Sequence, residues 1–262
     1  MKDKNINKKN NETVNNKIEK KEVINQKNII LSLKNVFKTY YLGEVPTHAL
    51  NGINLDIYEG EILVILGPSG SGKTTLLNVL SGLDKPTSGD IIYKDKENIA
   101  KYSERKITKF RKKNLGFIFQ TYNLLEHLNV RENILVGSKL GKTKVDIDNL
   151  MSVVGLTRHK NKYMYELSGG EQQRVSIARA IAKRPSIMFA DEPTGALDEK
   201  TGKTVLKTLV NINKKYNTTM IIVTHNPGIA ELADRVIHVN SGNIDKLIVN
   251  ENKVKAEDIS WG

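Results

Sequence analysis

The chain has 262 residues, no cysteine and a formal net charge of +12 at pH 7. The absence of cysteine excludes disulfides and thiolate metal sites, and no apolar run approaches the length that crosses a bilayer. The charged, polar start Met-Lys-Asp-Lys-Asn does not resemble a secretory signal peptide, so we expect a cytoplasmic protein that reaches a membrane only through a partner.

Residues 1–29 are predicted to be a disordered basic tail, because they are rich in Asn and Lys. A β-rich portion follows, with alternating strands expected near Leu31–Val36 and Ile53–Ile57. A hairpin-like piece over Asp90–Asp95 is expected to extend it. The tail is therefore followed by a half-exposed antiparallel sheet.

A phosphate-binding loop is predicted next. Residues 61–66, Glu-Ile-Leu-Val-Ile-Leu, are an apolar run typical of a buried parallel strand, and residues 74–80 can form a helix. The loop between them matches G-x-x-x-x-G-K-[ST], and the positive end of the helix favours a polyphosphate. This context disfavours the alternative of a glycine-rich turn that matches by accident. The predicted nucleotide-binding residues are Gly67, Pro68, Ser69, Gly70, Ser71, Gly72, Lys73, Thr74 and Thr75.

Two residues of this loop have defined roles. Lys73 is placed for the β- and γ-phosphates, and the hydroxyl of Thr74 is a hard oxygen ligand for Mg²⁺. The loop alone does not separate a kinase, a GTPase and a transporter subunit.

The interval after Gln120 is helical in character, with apolar positions at helical spacing over Val130–Leu140 and Val145–Val154. We expect residues 121–168 to form a smaller helical lobe. Gln120 closes the apolar run 116–119. It could touch Mg²⁺ or the attacking water, or it could simply be a polar residue at the end of a strand.

Candidate catalytic residues follow two later apolar strands. Asp191 is predicted to reach the Mg²⁺ shell, and Glu192 to hold and deprotonate the attacking water. His225 could hydrogen-bond the γ-phosphate and that carboxylate together. Taken singly, the first pair could be an acidic strand end capped by Pro193, and His225 an ordinary loop histidine. The remaining histidines are interpreted as ordinary: His48, His127, His159 and His238.

The strands predicted for the nucleotide-binding sheet are 62–66, 116–119, 187–190, 220–224 and 236–239.

The ordered motifs closely resemble those of the ATP-binding subunits of ABC transporters. Residues 167–174 are Leu-Ser-Gly-Gly-Glu-Gln-Gln-Arg, the signature of that family, and residues 195–198 are Gly-Ala-Leu-Asp. The resemblance covers about residues 30–250 and implies an α/β fold. This is a phosphate-loop NTPase core of the RecA-like kind, with an N-terminal antiparallel β portion and an inserted α-helical subdomain. Residues 251–262 are then a C-terminal extension.

The resemblance also implies a head-to-tail dimer with two shared ATP sites, in which the signature of one subunit faces the phosphate loop of the other. A Ser hydroxyl and Gly amides that open a helix form an anion site, which agrees with that role. The signature residues concerned are Ser168, Gly169, Gly170 and Glu171. With ATP and Mg²⁺ as ligands, the family pattern assigns catalysis to Glu192, His225 and Gln120, and the metal to Thr74, Gln120 and Asp191.

Two further positions follow from the resemblance. Asp198 matches a residue that makes a cross-subunit contact, whereas Gly195 stands where the family commonly has Ser. An upstream aromatic residue stacks on adenine in the family. Tyr40 is the preferred candidate, with Tyr41, Phe37 or plain core packing as alternatives.

Within the family, the sequence looks most like the branch of macrolide and antimicrobial-peptide exporters, lipoprotein extrusion and the cell-division ATPase FtsE. The segments that carry this likeness are 116–120, 122–125 and 129–134. The resemblance implies an ATPase at the cytoplasmic face of a membrane that energises a transmembrane permease. The alternatives are an FtsE-like regulator of cell division or cell-wall hydrolysis and, less favoured, a soluble ABC ATPase acting on ribosomes or nucleic acid. No nucleic-acid partner is expected.

Overall fold

A computed structural model of the protein describes residues 28–42, 45–141 and 145–261. The predicted tail over residues 1–29 lies outside the described residues, apart from Asn28 and Ile29, and Ile29 already belongs to the first strand. Within the described ranges, no helix has both the length and the apolar character needed to cross a membrane.

In chain order the strands are β1 (Ile29–Leu42), β2 (Val45–Tyr58), β3 (Ile62–Leu66), β4 (Ser88–Tyr93), β5 (Glu97–Asn98), β6 (Leu115–Ile118), β7 (Ile187–Asp191), β8 (Thr219–Val223), β9 (Arg235–Asn240) and β10 (Asn243–Val249). The α-helices are α1 (Lys73–Leu80), α2 (Glu104–Asn114), α3 (Val130–Leu140), α4 (Ile147–Val153), α5 (Gly169–Ile181) and α6 (Glu199–Tyr216).

The first sheet is antiparallel and has the strand order β2-β1-β4-β5. The strands predicted near Leu31–Val36 and Ile53–Ile57 are both longer than predicted, because the β1–β2 ladder continues to the pair Leu42↔Val45. The piece predicted over Asp90–Asp95 extends the sheet as β4, which pairs with β1 and β5. Several register shifts, one of them around Asn35 with φ 52°, interrupt the alternation of apolar residues along β1. Because of these interruptions, the alternation of apolar residues predicted only part of each strand, and the half nearer the pair Leu42↔Val45 was missed.

The second sheet has the order β10-β9-β3-β8-β7-β6. The neighbouring strands from β9 to β6 in this order pair in parallel. All five strands predicted for it are present. The edge strand β10, which pairs antiparallel with β9, was not predicted. Its side chains are exposed or half-buried, so it lacks the apolar pattern of its neighbours.

Strand β3 lies at the centre of the molecule, and each of its five residues is buried. Its side chains alternate between two cores. Ile62, Val64 and Leu66 pack with the helical side of the molecule, including α3, α5 and α6. Leu63 and Ile65 pack with the antiparallel sheet, α1 and α2 on the other face. The loop that follows β3 is thus anchored by both cores.

The segment after Gln120 contains the two predicted helices. Helix α3 has the predicted limits, and it begins with a capping box in which Asn129 and Glu132 satisfy each other's backbone amides. Helix α4 is shorter than predicted. Helix α2 was missed, because only Ile107 and Phe110 of its eleven residues are buried.

After β10, residues 251–261 cross the surface of the helical side. We call this segment the strap. Ala256 and Ile259 are buried in the helical core, and Val254 and Trp261 pack against it. A 3-10 helix at Pro227–Leu232, which follows β8, lies beneath the strap.

Candidate nucleotide-binding site

The phosphate loop connects β3 to α1, as the sequence predicts. Gly72, directly before α1, has φ 104°, and a Cβ there would lie 2.5 Å from the carbonyl oxygen of Ala49. Gly70 also has a left-handed backbone, with φ 76°. At residue 72, any residue other than glycine would strain the backbone and would also place its Cβ too close to Ala49. The loop therefore presents backbone to whatever binds at the start of α1.

Lys73 is the first residue of α1, and its Nζ donates to the carbonyl oxygens of Gly67 (2.7 Å) and Pro68 (2.8 Å). These bonds hold the ammonium group across the mouth of the loop. Ser71 is buried, and its hydroxyl has no hydrogen-bond partner within the described part of the chain. A buried hydroxyl without a partner is costly, so this loop offers a polar atom that a ligand can satisfy. Ser69, Pro68 and Thr74 are exposed.

A cavity of about 380 Å³ opens beside this loop. It is lined from the loop and α1 by Gly70, Gly72, Lys73, Thr74 and Thr75, and from β1 by Tyr40. Several of its lining residues were not anticipated from the sequence: Thr47, His48, Ala49, Ser241 and Gly242.

His48 was interpreted as an ordinary histidine, yet it reaches the cavity lining because its Nδ1 lies 3.0 Å from the hydroxyl of Thr39 across the hairpin. Only the strand pairing reveals this, since no motif surrounds the residue.

Tyr40 lines the cavity, whereas Tyr41, which is 73% exposed, does not. The Tyr40 hydroxyl donates to Asp84 (2.8 Å), which also accepts from Lys38 (2.7 Å). The Lys38 ammonium lies 4.7 Å from the Tyr40 ring centroid. Burial and the Asp84 carboxylate raise the pKa of Tyr40. The ring at the cavity wall is therefore held by a polar network at its hydroxyl.

The acidic pair and the histidine meet at the carboxyl ends of β7 and β8, which are adjacent and parallel. His225 Nδ1 lies 2.8 Å from Glu192 Oε1, and the Thr224 hydroxyl donates to Glu192 Oε2 at 3.0 Å. The Glu192 backbone has φ 47° and its amide donates to the carbonyl of Val223. A non-glycine residue in this conformation is strained, and such strain concentrates at functional sites. Thr224 was not predicted as a site residue.

Asp191 ends β7 and is half-buried. Burial raises the pKa of its carboxyl group, the Glu192 carboxylate adds to the rise, and the nearby Lys73 ammonium opposes it. A carboxylate held in this way gains from an added cation, because a positive charge relieves both its burial and its repulsion by Glu192.

The oxygen donors at the loop fit Mg²⁺. Thr74, which carries a hydroxyl, follows Lys73 in the first turn of α1, and the Asp191 carboxylate is near enough to the Lys73 ammonium for that charge to oppose the rise in its pKa. Both are hard oxygen ligands of the kind that Mg²⁺ takes together with phosphate oxygens and water. Within the described residues, no three His, Asp or Glu side chains cluster to form a metal site without a nucleotide.

Gln120 is exposed, and its Nε2 would lie 3.1 Å from a Cβ placed on Gly195. This puts the glutamine beside the segment that follows Glu192. The fully buried Gln173 of α5 was not predicted. Its Nε2 donates to the carbonyl of Pro193 at 2.7 Å, and thereby ties α5 to the same segment.

The signature residues lie apart from the cavity. Ser168 is exposed and caps α5, with its amide and hydroxyl donating to Glu171 Oε2 at 2.8 and 2.9 Å. Although burial opposes ionisation, these Ser168 bonds hold the pKa of Glu171 below its usual value. Gly169 faces the Tyr122 hydroxyl, and Gly170 is buried.

Asp198 caps α6, and its Oδ1 accepts from the Thr201 amide at 3.1 Å. These bonds lower the pKa of Asp198. The starts of α5 and α6 are therefore both capped, and neither Ser168 nor Asp198 lines the cavity beside the phosphate loop.

Comparison with known proteins gives consistent matches. A profile of the family described as ABC transporter matches residues 50–195. The putative ABC transporter ATP-binding protein MG065 homolog of Mycoplasma pneumoniae is 49% identical over 235 residues, which cover 88% of this chain and 50% of that protein. The bacitracin export ATP-binding protein BceA of Halalkalibacterium halodurans is 44% identical over 220 residues, covering 82% of this chain and 87% of that protein.

Among solved structures, the dimeric post-hydrolysis state of the ATP-binding cassette MJ0796 from Methanocaldococcus jannaschii, bound to ADP and Pi, matches with a TM-score of 0.75 and 37% identity. The match covers 84% of this chain and 98% of that one. The chain spans half the length of the curated Mycoplasma relatives that it matches.

Proposed function

The chain belongs to the ABC transporter family as one of its ATP-binding, ATP-hydrolysing domains, and from this premise we propose that it energises a membrane exporter or extruder. The observation that most supports ATP hydrolysis as the energy source is the Glu192–His225–Thr224 arrangement. It lies at the end of β8, which pairs with β3, the strand that leads into the phosphate loop and is anchored by both cores. The proposed cargo is of the antimicrobial-peptide, macrolide or lipoprotein kind, and the similarity to a bacitracin export protein supports the first of these. The chain would then act at the cytoplasmic face of the membrane.

We further propose that ATP binds between two such chains. Ser168 caps α5 at the surface and does not line the cavity that contains Lys73, so the signature has no phosphate to meet within its own chain. A second copy would bring Ser168 and Gly170 to the γ-phosphate held by Lys73. Asp198, at the start of α6, would contact the partner subunit.

The phosphates would be held by the backbone of residues 67–72, by Lys73 and by the start of α1. Tyr40 would stack on the adenine. Mg²⁺, held by Thr74, Gln120 and Asp191, would supply positive charge to the phosphate oxygens. The cavity beside the loop, at about 380 Å³, lies within the range of ligand sites.

Hydrolysis would use Glu192 as the general base. One carboxylate oxygen would accept the proton of the attacking water while the new P–O bond forms and the bond to ADP breaks. Thr224 and His225 each hold one oxygen of this carboxylate, which restricts its orientation. His225 is 72% exposed, so its other ring nitrogen remains available to a phosphate oxygen. Gln120, beside Gly195, would sense the metal and the water.

The exporter role can be tested by capture of the membrane partner. Glu192→Gln keeps the shape of the side chain and should trap the ATP-bound dimer, so tagged protein purified from detergent-solubilised membranes in Mg-ATP should bring down a multi-spanning membrane protein. Lys73→Ala, which loses a phosphate contact, is the matched control and should bring down much less.

Recovery of ribosomes in place of a membrane protein would contradict the export proposal and favour the soluble alternative. The relatives described above give no support to a role in cell division, and we do not propose one.

A further inference from the structure

The strap contacts α6 through the only tryptophan of the chain, Trp261. Its ring lies against Gly202, where an added Cβ would overlap it and come within 2.7 Å of Cζ2. Gly202 is buried in the first turn of α6. Glycine is a poor helix former, so its presence here is explained by the space that the ring occupies.

The strap also contacts the 3-10 helix at Pro227–Leu232. The carbonyl carbon of Ser260 would lie 2.8 Å from a Cβ on the buried Gly228. The Ser260 hydroxyl donates to Glu231 Oε1, and the Val254 amide donates to the Glu231 carbonyl at 2.9 Å. Asn250, directly before the strap, donates to the carbonyls of Ala230 (2.7 Å) and Ala233 (2.9 Å).

A chain of hydrogen bonds leads from this 3-10 helix to Glu192. The Gly228 amide donates to Asn226 Oδ1 at 2.9 Å, and the Asn226 amide donates to the Thr224 hydroxyl at 3.1 Å. That hydroxyl in turn donates to Glu192 Oε2. Three residues, Gly228, Asn226 and Thr224, thus link the strap to the Glu192 carboxylate.

On its other side the strap leads to the signature. Gly202 follows Thr201, whose amide is bonded by Asp198. The Thr201 methyl group packs against the buried Gly170, where a Cβ would overlap it. One short segment therefore contacts both the 3-10 helix that follows His225 in the chain and the helix whose first turn packs on the signature.

We propose that the strap is a positioning element for ATP hydrolysis. Ser260 and Trp261 fix the 3-10 helix and the first turn of α6 in one register, which keeps Thr224 and His225 aligned on Glu192. This inference rests on the proposed ATPase mechanism. Loosening the strap slows the chemical step, because small displacements of catalytic groups are costly. The cavity lined by Tyr40 and Lys73 includes no strap residue, so nucleotide affinity is unaffected.

Steady-state ATPase kinetics on the full chain test this. Trp261→Ala should lower kcat about tenfold and change KM for Mg-ATP by less than about twofold. Trp261→Phe, which keeps an aromatic ring against Gly202, should restore most of kcat. The control is Glu257→Gln, which removes only the exposed ion pair between the strap and Lys207 and should match the wild type.

Gly202→Ala separates positioning from folding. The added Cβ displaces the Trp261 ring in either case, and a red shift in the emission of the sole tryptophan reports that displacement. A merely structural role predicts unchanged kcat in the folded variant despite the shift, whereas a positioning role predicts a lower kcat. In the Trp261→Ala background, Gly202→Ala should cost nothing further.

Wild-type kcat in both Trp261→Ala and Gly202→Ala overturns the inference, as does a rise in KM that accounts for the whole loss. If Trp261→Ala does not fold, Gly202→Ala and Ser260→Ala decide it, and unchanged kcat in both overturns it. Failure of Glu192→Gln to bind Mg-ATP would instead contradict the proposed function itself.

Discussion

The phosphate loop and the signature both present the start of a helix to solvent, yet they differ in how complete they are. The loop has a cavity beside it, two left-handed glycines and a buried hydroxyl that has no hydrogen-bond partner among the residues the structure describes. At the signature, the Ser168 hydroxyl is already bonded to Glu171, and the residue lies outside the cavity. In the proposed mechanism, the first is a site that one chain forms alone, and the second becomes a site only against another molecule.

The largest effect should come from Glu192→Gln, which tests whether the chemistry belongs to the phosphate-loop side. Turnover should fall by roughly a hundred- to ten-thousand-fold, because a general base is lost. ATP binding should persist, since charge is removed and shape is kept. Single-turnover hydrolysis and equilibrium binding measure the two quantities. Full turnover in this variant would remove Glu192 from the role of base.

The difference between the phosphate loop and the signature is tested by one variant in each. Lys73→Ala should weaken ATP binding to the monomer by roughly ten- to a hundredfold, as expected for loss of a charge-assisted contact. Ser168→Asp should leave monomer affinity unchanged and prevent ATP-dependent dimerisation, because it places a negative charge against the phosphate of the partner.

Both Asp and Asn cap helices as well as Ser does, so Ser168→Asn is the matched neutral control. Calorimetry on monomer and light scattering on the Glu192→Gln background report the two effects. If Ser168→Asp weakened ATP binding to the monomer, the distinction between the phosphate loop and the signature would be wrong.

Tyr40→Ala should reduce ATP affinity about tenfold, which corresponds to the loss of one base-stacking contact. Tyr41→Ala is the control, because Tyr41 is outside the cavity and should leave affinity unchanged. A competition assay with GTP should show a similar loss for both nucleotides, because an aromatic ring stacks on either base. The reverse result, with the loss at Tyr41, would move the adenine to the other face of β1.

The smallest effect concerns the stability of Asp191→Asn. The folded-state pKa of Asp191 is raised, so the native protein binds this proton more tightly than the unfolded chain does. The charged carboxyl therefore destabilises the fold above its raised pKa, and this cost disappears as the pH falls below it. Without nucleotide at neutral pH, Asp191→Asn should raise Tm by about 1 °C.

Calorimetric scans with and without Mg-ATP check this prediction, since the variant should gain less from Mg-ATP than the wild type. A lower Tm in the variant at neutral pH, with no nucleotide present, would contradict the stated cause of the raised pKa.

The sequence predicted those parts of the fold whose signal is local. The parallel strands are continuous apolar runs, and α3 has its apolar stripe and cap within eleven residues. Helix α2 and strand β10 bury too little surface to show a pattern. At the candidate site, motifs predicted Lys73, Asp191, Glu192 and His225, whereas Thr224 and Gln173 make contacts that only the folded sheet brings together.

At Glu192, the left-handed backbone lowers the stability of the fold, whereas the carboxylate is needed for the proposed activity. The conformation costs of the order of 1 kcal/mol or more for a residue of this kind, and glycine or asparagine would adopt it with less strain. A laboratory selection for thermostability alone would accordingly enrich such replacements and discard the carboxylate. The proposed role of Glu192 as general base gives a reason for glutamate at this position that stability alone does not.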